Sequence, residues 1–394
     1  MAVPSEGCEE CGLPEIWLCG RDGIRHQFQQ PLSALNLEQR DECFALVFAR
    51  ANTITECKSC RAELARRFSV PTFWWTQYCK RANGYFGSQE IVLGGDSPPG
   101  ITTWARFLIK LVQGGDDYTW IKLNIMTHSL SAKNQIMMVF DATESTRERL
   151  LASLMDDGRN EEMTDLFWIY HRILNDVMDL HDQSIWGLRT HVRTVERSSS
   201  ERSLSDKSSA ESTADRPNYR KLHDLARHAI HIAETTATTI NTIHGIVAAH
   251  GEYMKSASTD ASDSFQSIAR RVQNRLLLYS QVALGLQNRA VATKDRLHNE
   301  IQLSFNMVTQ NDAATTIDIG LIAKEDSTVM RKIAYLTMVF LPATFVSAIF
   351  STSFFNFNPE LERWRVSEMF WVYWACSAPV TLVAIASFRF WGRA

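Results

Sequence analysis

The sequence predicts an α+β protein with an N-terminal α/β domain, a long helical stalk and a C-terminal two-helix transmembrane hairpin. Three observations predict it. Residues 333–357 and 369–388 are apolar and free of charge; strand-like runs broken by turn residues occupy 102–140; and a helical period of three to four runs on from 262. Each C-terminal segment has about 20 or more residues, which at about 1.5 Å per residue spans a hydrocarbon core of about 30 Å.

The first segment, residues 1–158, is predicted as the cytosolic α/β domain. Residues 102–112, 118–126 and 135–140 alternate or run with β-branched and aromatic side chains and read as strands, while 38–68 and 145–155 carry helical patterns. Residues 1–20 hold acids and cysteines where a secretory signal would place a basic start and an apolar run, so this domain is expected to stay in the cytosol or an organelle matrix. Cys8 with Cys11 and Cys57 with Cys60 form two Cys-x-x-Cys pairs. Four thiolates suit a tetrahedral zinc site, although the gap between the pairs is longer than in a compact zinc ribbon; reduced, unliganded cysteines are the other reading.

A helix follows over 159–196, with Leu166, Ile169, Ile173, Val177 and Leu180 at steps of three and four. Residues 197–217 are rich in serine and charge and predict a disordered loop, because they bury too little apolar surface to offset the entropy of ordering. The stalk, 218–332, resumes the helical period, breaks near Gly251, and then continues without proline to Pro342. A stripe this long must bury itself against neighbouring helices or copies of the chain. On the earlier stretch His228, His231 and Glu234 stand at three-residue steps, spaced for a metal or as solvated helix residues.

The first span, 333–357, carries Thr337, Thr344 and Ser351 seven residues apart, with Leu341 and Ala348 on the same face. Repeated around a symmetric axis, this stripe makes rings of weak oxygen ligands and small apolar constrictions, as a cation pore needs. Alternatively each hydroxyl bonds a carbonyl of its own helix or joins helices together. An extracytoplasmic loop, 358–368, leads to the second span, 369–388, and a tail, 389–394. Arg331 and Lys332 precede the first span and Arg389 and Arg393 follow the second, so the positive-inside rule puts both termini in the cytoplasm.

Around Leu336-Thr337-Met338-Val339-Phe340-Leu341-Pro342-Ala343-Thr344-Phe345-Val346, then Phe350-Ser351-Thr352-Ser353-Phe354 and Asn358-Pro359-Glu360-Leu361, the chain resembles the CorA family of divalent-cation channels. It is similar to a fungal CorA-like branch related to the ZntB zinc transporters. The resemblance implies a homopentamer in the lipid bilayer that moves magnesium or another divalent cation, with the first membrane helix lining the pore. It implies lining roles for Thr344 and Leu341, a hydrophobic gate at Met330 and Ile333, and a cytosolic entrance near Ser327; spacing adds Thr337 and Ala348. Asp312, Asp318, Glu325 and Asp326 are the candidates for regulatory cation sites between subunits.

The family's Tyr-Gly-Met-Asn motif is replaced here by Phe350, Ser351, Thr352 and Ser353. Ser353 has a shorter side chain with one oxygen, so its ring would be wider and its hold on a hydrated ion weaker. A non-conducting scaffold or sensor is therefore the alternative to a channel. With net charge −3, no phosphate loop and no nucleophile motif, neither a nucleic-acid surface nor an enzyme is expected, and no firm cofactor.

Overall fold

The computed structural model describes residues 14–20, 23–29, 44–91, 100–112, 117–131, 134–155, 160–205, 218–257, 263–350, 355–358 and 363–391. The chain divides into two units, Met1–Ser304 and Phe305–Ala394.

The first unit is built on strands β1 (Glu15–Gly20), β2 (Gly23–Gln29), β3 (Phe44–Ala49), β4 (Gly84–Ile91), β5 (Gly100–Val112), β6 (Tyr118–Ser131) and β7 (Asn134–Phe140). They form one sheet in the order β2-β1-β3-β7-β6-β5-β4, antiparallel throughout except where β3 lies parallel to β7. The side-chain period of two sends Phe107, Ile109, Ile125 and Val139 to one face and Ala45, Trp104, Met126 and Met138 to the other. The second face is covered by α1 (Ala51–Glu56), α2 (Lys58–Phe68) and the Trp74 and Trp75 rings, which are core as their apolar character predicts. The first face is covered by the helices α4 (Glu144–Met155), α5 (Trp168–Ser205), α6 (Tyr219–Ala257) and the start of α7 (Asp263–Phe350); a short α3 (Gln77–Arg81) precedes β4.

Four expectations for the first unit are corrected. Residues 38–68 are not one helical stretch: Phe44–Ala49 is a strand buried at every position, because helices cover both faces of the sheet there. The helix expected from 159 begins at Trp168, because the Asp165 carboxylate accepts from the Phe167 N–H at 2.8 Å and breaks the turn. At its other end α5 runs through Arg197 to Ser205, into the segment expected to be a disordered loop. The Ser198 and Ser200 hydroxyls bond back to the Val195 and Glu196 carbonyls, and Glu196 pairs with Arg296 on α7 at 2.6 Å, so the serines are carried on a packed helix. Residues 206–217 lie outside the described ones. Finally, α6 passes Gly251 and ends at Ala257, since burial of His250 and Tyr253 outweighs a glycine cost of about 1 kcal/mol.

Along α7, Leu276, Ala283, Ala290 and Leu297 recur every seven residues and are buried against the first unit's helices. The second unit holds the end of α7, a hairpin of β8 (Phe355–Asn358) and β9 (Arg363–Val366), and α8 (Phe370–Trp391). The first span is not helical as far as 357: residues 355–358 pair as a strand, which moves the start of the expected loop. Both α7 and α8 contain a stretch long and apolar enough to cross a membrane. Pro342 and Pro379 lie inside these stretches, where neighbouring helices can satisfy the backbone groups that a proline frees.

Candidate functional site

The continuous helix α7 fixes the angular position of each predicted lining residue. At about 100° per residue, Met330, Ile333, Thr337, Leu341, Thr344 and Ala348 fall within an arc of about 80°, with Ser327 at its edge. All seven are exposed, Met330 at 69% and Leu341 at 61%. On the opposite side of the same helix Pro342 and Val346 are buried, and the Tyr373 hydroxyl on α8 donates to the Ala343 carbonyl at 3.3 Å, while Tyr335 and Val339 on that side stay exposed. Ser377, one turn further along α8, is buried as well. Thus α8 lies behind the arc and leaves it open. Neither Tyr373 nor Ser377 could be assigned a packing role from sequence, since an all-apolar segment gives no phase for its packing face.

Within the arc the hydroxyls donate to their own helix. Thr337 Oγ1 bonds the Ile333 carbonyl at 2.9 Å, and Thr344 Oγ1 bonds the Phe340 carbonyl at 2.9 Å and the Leu341 carbonyl at 3.0 Å. Both readings of the stripe meet in this geometry. A hydroxyl whose proton is held by a carbonyl still turns its lone pairs outward, and so acts toward the arc as an acceptor only. Ser351, Thr352 and Ser353 lie outside the described residues.

The four acids divide between two faces. Asp312 and Asp326 keep the heptad phase of Ile333, whereas Asp318 and Glu325 keep that of Lys332. All four are exposed, and Asp312 stands about 21 Å along the helix from Asp326, so no two on one face share an ion within one chain. Among the described residues no three His, Cys, Asp or Glu side chains gather as a metal site.

That finding bears on two other groupings. Cys57 Sγ accepts the Cys60 N–H at 3.5 Å and caps α2, while Cys8 and Cys11 lie outside the described residues. On α6 the His228 ring packs on Tyr118 with centroids 4.8 Å apart, the His231 ring packs on Trp120 at 5.5 Å, and Glu234 accepts from Asn83 at 2.7 Å. The three point to different partners and not to one ion.

No protein-family model matches the chain. A curated relative, the notoamide biosynthesis cluster protein M' of Aspergillus versicolor, is 30% identical over 291 residues, covering 72% of this chain. The matched region spans 62% of that relative's length. Among solved structures, the full-length CmaX protein is similar at a TM-score of 0.40 and 15% identity, over 98% of this chain and 99% of that one. The complete CorA magnesium transporter of Methanocaldococcus jannaschii is similar at 0.40 and 10% identity, over 96% and 97%. The ZntB cytoplasmic domain of Vibrio parahaemolyticus is similar at 0.35 and 11% identity, over 74% of this chain and 99% of that one.

Proposed function

We propose that the chain is a CorA-type membrane channel: copies assemble through α7, five by the resemblance, and divalent cations, magnesium first among them, pass along the axis. The observation that carries this reading is the one-sided cover of α7. The contact of α8 at Pro342, Ala343 and Val346 leaves the Thr337 and Thr344 arc uncovered, and an exposed apolar arc with outward lone pairs is what a pore-lining helix presents. Exposed Ile317, Ile319, Leu321 and Ile322 on the preceding turns support association, because large apolar side chains left in water gain by burial against a partner.

In this reading Ser327 marks the entrance, Met330 and Ile333 form the gate, and Leu341 and Ala348 alternate with hydroxyl rings at Thr337, Thr344 and Ser351. A cation moves from ring to ring while keeping much of its hydration, because a single hydroxyl per chain is a weak ligand for a strongly hydrated ion. Asp312 and Asp326 lie on the axial face, where they would raise the local cation concentration; Asp318 and Glu325 lie on the flank, where an ion bridging two chains would regulate assembly. Arg331, Lys332 and Arg389 favour cytoplasmic placement of both termini.

A second reading, a non-conducting scaffold or sensor, is favoured by one specific feature: Ser351, Thr352 and Ser353 occupy the positions of the family's Gly-Met-Asn. Purified chain in liposomes loaded with a metal-sensitive dye separates the two. Magnesium, zinc or cobalt entry with wild type supports the channel. Entry only with Ser353→Asn means a scaffold whose filter alone is lost, and silence in both, from verified oligomers, rejects conduction.

A further inference from the structure

A cavity of about 590 Å³ in the first unit lies between the start of α6, the C-terminal half of α5 and the ends of β5 and β6. Four basic side chains line it: Lys110, Arg220, Lys221 and Arg227. Three histidines, His191, His228 and His231, stand among them. Among the described residues two carboxylates, Asp117 and Asp224, share the wall, and Asp224 is already paired with Arg227. The wall therefore has an excess of positive charge in a concave space.

Lys110 is the sharpest feature. It is only 5% exposed, and its Nζ sits 4.3 Å from the centre of the Tyr118 ring and 5.0 Å from that of Trp120. Trp120 is its cross-strand neighbour in the β5–β6 register, so the sheet itself sets this geometry. Among the described residues no carboxylate oxygen lies within 4.0 Å of that nitrogen. Two ring faces return about 2 kcal/mol at a desolvated site, less than the several kcal/mol that removing an ammonium from water costs. His228 Nδ1 is likewise buried without a hydrogen-bond partner. Burial, and then Arg227, hold the Lys110 ammonium below the ordinary lysine range; burial, and then Lys110, lower His228 and His231. Asn218, Arg220 and Lys221 line the cavity at the N-terminal end of α6, where first-turn N–H groups and the helix dipole also favour negative charge.

We propose that this cavity binds a small soluble polyanion of the phosphate class, at least a diphosphate, with Lys110 at its floor and Arg220, Lys221 and Arg227 around it. A single phosphate would not fill the space or balance the cations. The site is separate from the α7 arc, so its occupancy does not depend on the channel reading.

Titration calorimetry on the full chain in detergent, with inorganic pyrophosphate as the probe, tests it. Saturable binding is expected, weakened about tenfold or more by Lys110→Met, as loss of a buried charge-assisted contact requires. The control Lys58→Gln, at an exposed position at the start of α2, should bind as wild type. If Lys110→Met fails to fold, Arg220→Gln with Lys221→Gln, at positions on the rim, should weaken binding in a chain with unchanged circular dichroism. Anionic lipid vesicles serve as the other arm: binding of phosphatidic acid vesicles without binding of pyrophosphate overturns the soluble ligand. Absence of heat with pyrophosphate in folded protein, or equal affinity in all variants, overturns the proposal.

Discussion

The Tyr373 hydroxyl on α8 donates to the Ala343 carbonyl on α7 at 3.3 Å, on the side of α7 that also buries Pro342 and Val346. This contact ties the two apolar helices together without touching the Thr337 and Thr344 arc. Tyr373→Phe should destabilise the pair by about 1 kcal/mol, the net value of one such bond. Thermal unfolding in detergent would show a lower midpoint, while ion preference in liposomes should stay that of wild type; a changed preference would place Tyr373 in the conduction path instead.

Thr344 tests the arc directly. Thr344→Leu replaces an outward acceptor with a bulky apolar group at a constriction and should reduce flux severalfold with oligomer size unchanged. Thr344→Ser keeps the oxygen and should conduct. Equal flux in both variants would remove Thr344 from the pore.

Association through the stalk is tested at Val282, which is 42% exposed, together with exposed Leu278. Charging both to lysine should dissociate the oligomer on size exclusion with light scattering. Leu286, only 6% exposed, belongs to the intrachain core, so a charge there unfolds the chain and reports nothing on assembly.

A hydrogen-bonded chain joins the turn before α5 to α6 and α7: His250 Nε2 meets Asp165 Oδ2 at 2.9 Å, and His250 Nδ1 meets Gln273 Oε1 at 2.5 Å. His250 and Asp165 are fully buried. Removing the ring leaves the Asp165 oxygen without this partner, so His250→Ala should cost about 3 kcal/mol. The drop should appear in denaturant midpoint, and a change below about 1 kcal/mol would mean that water replaces the ring.

His181 makes a prediction in pH. It is buried between α5 and α6, and burial lowers its pKa from 6.5 to about 4. Thr236 donates its own proton to the Ile232 carbonyl, so it accepts from His181 Nδ1–H, and Nε2 accepts from Thr239 at 3.0 Å. Above pH 6.5 neither folded nor unfolded chain protonates this ring. As pH falls from 6.5 toward 4 the unfolded chain takes up a proton that the folded one refuses, so stability declines through that window, by about 3 kcal/mol in all. Unfolding midpoints of wild type and His181→Gln, compared from pH 7 to 4.5, should converge as pH falls; parallel curves would show that His181 is not the group responsible.

What the sequence determined by itself was everything that depends on local pattern. The two apolar segments near the C-terminus, the strands at β5, β6 and β7 and the long proline-free helix were legible, because length, alternation and period are local properties. The β3 strand was not: Phe44 to Ala49 is uniformly apolar, and whether such a run is strand or helix depends on the neighbour that receives its hydrogen bonds, here β7, about ninety residues away. Nor were the limits of α5 and α6, which are set by Asp165, Glu196 and His250 through partners on other helices. The arc on α7 shows the same division. Its heptad spacing is written in the sequence, yet where α8 meets the helix was decided only when Tyr373 reached the Ala343 carbonyl, and Lys110 came to line a cationic cavity only when folding brought Arg220 and Arg227 to the wall around it. Local propensity selects the elements, whereas burial and charge compensation are sums over residues far apart in the chain and exist only once it has folded.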